Sequence, residues 1–176
     1  MTALIVRTRR RFPQAPADVW PLLLNSRMAP SRSLWFRLGV PQPVECRVPD
    51  GRGGVGSERE CVSIQGVVHQ RILEWTPPSH LVFRLEWTDL AQARGVGGMR
   101  ETFDLDPVDG ATVVTRTTEV ELRGAGNPFR RFVLWVGLKQ VHRFVFRNWL
   151  RLSSRGGPSH SGPPPVSVPP MVTRRN

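Results

Sequence analysis

"NPFRRFVLWVGLKQVHRFVFRNWLRLS", residues 127–153, is the stretch on which the fold turns. Asn127 is a favourable N-cap and Pro128 suits the first helical position; about 26 residues then run on with a single glycine and no further proline. That pattern predicts one long helix. Leu134, Leu138, Val141, Val145, Trp149 and Leu152 recur at spacings of three and four, an apolar stripe that calls for a covering surface. Lys139, Arg143, Arg147 and Arg151 repeat every four residues on a different side.

The segments before it supply that surface. Alternation predicts strands over 43–48, 56–64, 66–76, 80–88, 98–106 and 111–122, punctuated by Gly, Pro and Asp. At the start, residues 3–12 read as a strand with Leu4, Val6, Thr8 and Phe12 on one side and Arg7, Arg9 and Arg11 on the other. Two short helices follow, "ADVWPLLLN" after Pro16 and "APSRSLWFRLG" ending at Gly39. Beyond Arg155 the chain is rich in Pro, Gly and Ser with nothing periodic to bury. The expected organisation is one domain over 1–154 and a disordered tail over 155–176.

A chain of 176 residues with 39% hydrophobic content supports one ordinary core. Charge is the unusual property: net +11, with 24 arginines and one lysine, Lys139. Compositional bias toward arginine explains this as well as selection does, although a basic surface attracts anionic partners whatever its origin. The apolar run before the first arginines is too short for a signal-peptide core, and nothing approaches a membrane span, so a cytoplasmic location is expected. Two cysteines, Cys46 and Cys61, are expected as reduced thiols there.

The order strand, two short helices, six strands and long helix resembles the START-like (SRPBCC) superfamily, which includes polyketide cyclases and lipid-transfer proteins. The resemblance covers roughly 3–153 and rests on "APADVWPLL", "GVGSERECV", "RILEWTPPSHLVFRL", "TFDLDPVDGATVVTRTTEVEL" and the closing helix. It implies an α+β helix-grip fold, a curved antiparallel sheet of about seven strands wrapped around the long helix, with an apolar cavity between them.

Strand phases suggest what lines such a cavity. Leu81, Phe83, Leu85 and Trp87 form a continuous apolar row, with His80, Arg84 and Glu86 opposite. The preceding strand, with His69, Arg71, Leu73 and Trp75 on one face and Val68, Gln70, Ile72 and Glu74 on the other, has no clear inward side. Of the two Leu-Glu-Trp copies, 73–75 and 85–87, the second is therefore the candidate ligand wall and the first is read as structure. Placing a turn at Pro107–Gly110 sets Glu101 opposite Arg116 and Met99 opposite Thr118; Met99, Phe103, Leu105, Val114, Val120 and Leu122 mark the apolar faces. Glu101 and Arg116 then point inward, as a polar anchor in a cavity or as a rim salt bridge that reaches water. The candidate ligand-binding residues are Leu81, Phe83, Leu85, Trp87, Met99, Glu101, Phe103, Val114, Arg116 and Thr118, with Leu134, Leu138, Val141 and Val145 from the helix. Glu58 or Glu60 is a further candidate for entering the cavity.

Other motifs carry less. "GRGGVG", Gly51–Gly56, has the G-x-G-x-x-G form, but a strand-like run follows where a dinucleotide site needs a helix, so it reads as a hairpin loop. The histidines and cysteines lack metal-ligand spacing, no nucleophile elbow is visible, and no cofactor is expected. The leading expectation is a binding protein for a small hydrophobic or amphipathic ligand such as a lipid, isoprenoid or polyketide. The alternative is a cyclase, aromatase or dehydratase in which Glu101 or His69 moves a proton and Arg116 polarises a carbonyl. The row Lys139, Arg143, Arg147 and Arg151 is a solvated face or a weak contact for an anionic membrane surface. Nucleic acid is disfavoured because the aromatic platforms it requires are not on an identified binding face, and because the first strand's arginines, at the far end of the sequence, need not lie near the helix.

Overall fold

The computed structural model describes residues 3–49, 53–123 and 127–155; of the expected tail, Arg155 ends the last helix and residues 156–176 lie outside the described residues. Eight antiparallel strands form one curved sheet: β1 (Ala3–Phe12), β2 (Ser26–Arg27), β3 (Pro43–Arg47), β4 (Glu58–Ser63), β5 (Gly66–Thr76), β6 (His80–Thr88), β7 (Val96–Val108) and β8 (Ala111–Leu122). Their spatial order is β1-β8-β7-β6-β5-β4-β3-β2, so β1 and β2 are the edges. Helices α1 (Pro16–Leu24) and α2 (Leu34–Arg37) follow the first strand, and α3 (Pro128–Arg155) lies across the sheet. This is the expected helix-grip arrangement; the eighth strand is the two-residue β2, too short to leave a period in the sequence.

Helix α3 starts where its capping chemistry directs, the backbone N–H of Phe129 donating to Asn127 Oδ1 at 2.9 Å. Its apolar stripe is divided between two clusters. Phe144, Val145, Phe146 and Trp149 join the main core with Phe12, Phe83 and Phe103, while Leu134 and Leu138 pack against Leu4, Val120 and Leu122. The second helix forms only over its last part, Leu34–Arg37.

Two readings of the strands are corrected. The β7–β8 hairpin turns on Asp109-Gly110, both at positive φ (48° and 72°), a two-residue turn that an Asp-Gly pair favours. Pairing therefore runs Val108 to Ala111 and shifts by two residues from expectation: Glu101 faces Thr118, Phe103 faces Arg116 and Met99 faces Val120. Because a two-residue shift preserves the face, Glu101 and Arg116 still point inward. In β6 the register with β5 jumps between His69–Trp87 and Gln70–Leu85, leaving Glu86 as an extra residue. The bulge breaks the alternation, so Leu85 stays inside and Trp87 swings to the outer face.

The cysteine expectation is also overturned. Cys46 and Cys61 are directly opposed across β3 and β4, their Cα atoms 4.1 Å apart, and form a disulfide. Their 15-residue separation in sequence is closed by the β3–β4 hairpin. Among the described residues no helix is long and apolar enough to cross a membrane. Residues 53–56 of the glycine motif make a turn leading into β4 and not a helix; Gly51 and Arg52 lie outside the described residues.

Candidate functional site

A cavity of about 420 Å³ lies between the concave face of the sheet and α3. Its size falls within the range of small-molecule sites, and its lining is mainly apolar. Helix α3 contributes Leu134, Leu138, Val141, Val145 and Trp149, and the sheet contributes Val68, Leu85, Met99, Phe103 and Val120. Leu38, from the α2–β3 connection, and Val133, from α3, line the cavity while remaining exposed. The mouth therefore opens between that connection and the N-terminal turns of α3.

A connected cluster of four polar side chains, Arg59, Gln70, Glu101 and Arg116, breaks the apolar lining; Ser63, Thr88, Gln92 and the exposed Arg130 are the other polar residues on it. All four members of the cluster are buried. Arg116 Nε donates to Glu101 Oε1 at 3.1 Å, and Arg116 Nη2 donates to the same oxygen. Thr118 Oγ1 donates to Oε1 at 3.0 Å, and Gln70 Nε2 reaches Oε2 at 3.4 Å. Gln70 Oε1 in turn accepts from Arg59 Nη1, and Arg59 Nε donates to the Leu23 carbonyl at 3.1 Å. The two guanidinium groups lie over aromatic rings, Arg59 over Phe83 at 4.4 Å and Arg116 over Phe103 at 5.3 Å. Such stacking fixes the charged planes within an otherwise apolar wall.

Behind this cluster, His142 joins α3 to the sheet. Its Nε2 is 2.8 Å from Thr118 Oγ1 and its Nδ1 is 3.1 Å from Thr8 Oγ1. Thr118 gives its single hydroxyl proton to Glu101, so it accepts from a protonated Nε2. Nδ1 is then the acceptor for the Thr8 hydroxyl. The hydrogen bonds thus run in one direction, from Thr8 through His142 and Thr118 to Glu101, with a neutral imidazole.

The electrostatics agree with that assignment. Burial, reinforced by the Arg116 charge, pushes the His142 pKa down to about 2. Burial would raise the Glu101 pKa, but the adjacent Arg116, aided by Arg59, outweighs it and holds the carboxyl at about 2. Burial lowers the Arg59 pKa to about 10, which leaves it charged at neutral pH. Two cations and one anion therefore share the polar end of the cavity, and no group there with a resolved shift changes charge near neutrality.

Of the residues marked out by the sequence, Leu85, Met99, Glu101, Phe103, Arg116, Leu134, Leu138, Val141 and Val145 lie on the cavity wall. Leu81, Phe83 and Val114 sit in the solid core, and Thr118 is one hydrogen bond behind the wall. Trp87 is off the cavity, 56% exposed, with its ring 5.2 Å from that of His69 on the outer face. His69 stands there too, 3.7 Å from Glu60, so it has no access to the cavity. Of the two Leu-Glu-Trp copies it is the first whose tryptophan packs inward: Trp75 meets Trp20 edge-on at 5.3 Å.

The inward face of β4 carries Arg59, Cys61 and Ser63, while Glu60 pairs outside with Arg47. Glu58 is likewise on the outer side, 3.5 Å from Arg71. Arg59, Gln70 and His142 are the site residues that sequence reasoning missed. In β5 the usable signal was phase: Gln70 alternates with Ile72 and Val68, the apolar face. Among the described residues no three His, Cys, Asp or Glu side chains are grouped to hold a metal ion.

A family model described as polyketide cyclase/dehydrase and lipid transport matches residues 3–152, nearly all of the described chain. The chain belongs to that family. Solved structures share this fold. Ara h 8.0201 superposes with a TM-score of 0.63 at 12% identity, covering 88% of this chain and 100% of that one. The Zhui aromatase/cyclase from Streptomyces sp. R1128 gives 0.63 at 14% identity, with 92% and 99% covered. A START superfamily protein from Mycobacterium smegmatis gives 0.59 at 11% identity, with 86% and 97% covered. No curated protein matches the sequence. Family and fold together support a hydrophobic-ligand-binding architecture.

Proposed function

We propose that the protein binds a small amphipathic molecule, of lipid, isoprenoid or polyketide type, whose single acidic or carbonyl-rich end meets Arg59 and Arg116. The observation that carries this reading is the charge balance of the cavity. Arg59 and Arg116 contribute two positive charges and Glu101 one negative charge, and His142 is neutral, which leaves a surplus of one positive charge in a buried site. Uncompensated buried charge is costly, and a carboxylate or a polarised carbonyl oxygen offsets it where an alkyl group does not. The apolar lining then takes the body of the ligand.

The cyclase or dehydratase alternative draws on the family description and on the same two guanidinium groups, which are suited to polarising a carbonyl. Binding without chemistry is favoured because a general acid or base works best with a pKa near the operating pH. Glu101 and His142 both lie far below it. Native mass spectrometry of the protein from its own host tests the binding reading. The expected result is a non-covalent adduct that is released on denaturation and carries an ionisable or carbonyl group. Protein that emerges unliganded, and takes up neither fatty acids nor aromatic acids when these are supplied, would overturn it.

A further inference from the structure

Outside the cavity, β1 and α3 form a second concavity. As the edge strand, β1 lies directly against the helix: Lys139 Nζ donates to the Arg7 carbonyl oxygen, and His142 Nδ1 meets Thr8. The groove between them is lined by Arg7, Arg9 and Arg10 from β1 and by Lys139, Arg143 and Arg147 from α3. The arginines of the first strand are thus beside the helix's basic row, and not remote from it as their sequence separation suggested. Arg151 is not part of the groove.

No carboxylate is among the lining residues, which otherwise comprise Thr8, Gln140 and Phe146. Elsewhere on this arginine-rich surface, arginines are matched: Arg27 with Glu45, Arg47 with Glu60, Arg84 with Glu86 and Arg100 with Glu74. None of the groove's cations has a described carboxylate partner. Arg7 and Arg9 alternate with Thr8 along β1 and border the groove from its outer side, Arg7 Nε donating to Thr117 Oγ1 at 3.3 Å. Compositional bias does not account for Arg10, Lys139, Arg143 and Arg147 gathered there without a counter-charge. The crowding shows in Lys139, whose pKa is drawn below the usual lysine range by partial burial and by Arg143.

We propose that this groove is an anion site for a compact phosphorylated solute bearing a di- or triphosphate group. Guanidinium forks match phosphate oxygens in bidentate fashion, and several negative charges on neighbouring phosphates fit a row of helix cations with Arg10 beside it. The i, i+4, i+8 spacing of Lys139, Arg143 and Arg147 places the helix's three charges in one line along the groove. A soluble anion is favoured over a bilayer because the only large apolar side chain in the lining, Phe146, is buried and offers nothing to insert. The site stands on geometry separate from the cavity and does not depend on what the cavity holds.

Sodium tripolyphosphate titrated calorimetrically into the full chain at low ionic strength tests this. Saturable binding near one-to-one is expected. It should weaken at least tenfold in the double variant Arg10→Gln/Arg143→Gln, and change less than twofold in Arg27→Gln/Arg84→Gln, which removes the same charge elsewhere. Arg147→Gln alone, at the exposed surface of α3, should weaken binding if the double variant fails to fold. Absence of saturable binding, or equal weakening by the groove and control variants, would overturn the proposal. So would binding confined to phosphatidic-acid vesicles or to an oligonucleotide, which would assign the groove to a membrane or to nucleic acid instead.

Discussion

The cavity cluster and the β1–α3 groove are built from the same side chain in opposite circumstances. Inside, Arg59 and Arg116 are buried, stacked on Phe83 and Phe103, and tied through Gln70 and Glu101 into one hydrogen-bonded unit. In the groove, Arg9, Arg10, Arg143 and Arg147 are exposed and lack a described carboxylate partner. The contrast shows that arginine count says little by itself. A buried guanidinium must have its geometry fixed by partners, so it acts as a preorganised recognition element and as a structural member together. An exposed one contributes field and little stability.

Mutation separates the two regions most sharply. Glu101→Gln leaves Arg59 and Arg116 buried without their counter-charge and is expected to cost about 3 to 5 kcal/mol. For a chain of this size that corresponds to a melting temperature lower by roughly 10 °C. Arg143→Gln should change stability by less than about 0.5 kcal/mol. Similar melting temperatures for the two variants would erase the distinction.

Reduction of Cys46–Cys61, which lies on the cavity wall, should destabilise the protein by about 3 kcal/mol through the freed loop entropy. Tripolyphosphate binding at the groove, on the far edge of the sheet, should be unchanged once the reduced protein is kept folded. Parallel urea titrations with and without dithiothreitol measure the first effect, and calorimetry the second.

Acid should act through the interior. His142 has a folded-state pKa depressed from 6.5 to about 2, so below pH 6.5 the unfolded chain takes up a proton that the native state refuses. Glu101, depressed from 4.5 to about 2, acts in the same direction below pH 4.5. Both contributions are complete above pH 6.5 and are lost on acidification. Between pH 7.5 and 5 the His142 contribution amounts to about 2 kcal/mol. Urea unfolding of His142→Asn should lack this slope between pH 6.5 and 4.5; retention of the full slope would assign it to another group.

Much of the architecture was legible because long periodic segments carry it. β1, β5, β6, β8 and α3 follow alternation or helical spacing closely enough to fix their extents. Glu101 and Arg116 were placed on the correct face despite a misread turn, since an even register error leaves facing intact. What escaped were features with no period: the bulge at Glu86, and the choice of Arg59 and not Glu60 as the inward residue of β4. The cysteine pairing depended on hairpin register, which two cysteines alone do not reveal. His142 lay within a basic helix face and was recognisable only once Thr8 and Thr118 stood beside it. A small effect follows from the bulge: Trp87→Ala should cost less than about 1 kcal/mol and leave cavity binding unchanged. Loss of cavity affinity in that variant, read by fluorescence displacement, would return Trp87 to the site.

In the proposed function the buried surplus of positive charge selects a ligand with an acidic end. Calorimetric titration with decanoate and with 1-decanol, which share an alkyl body, tests it most directly when run on the native protein and on Arg116→Leu. The native protein should bind the carboxylate at least tenfold more tightly than the alcohol, and the variant should lose this preference while still binding both. Equal affinity of the native protein for the two, or a preference untouched by the substitution, would contradict it.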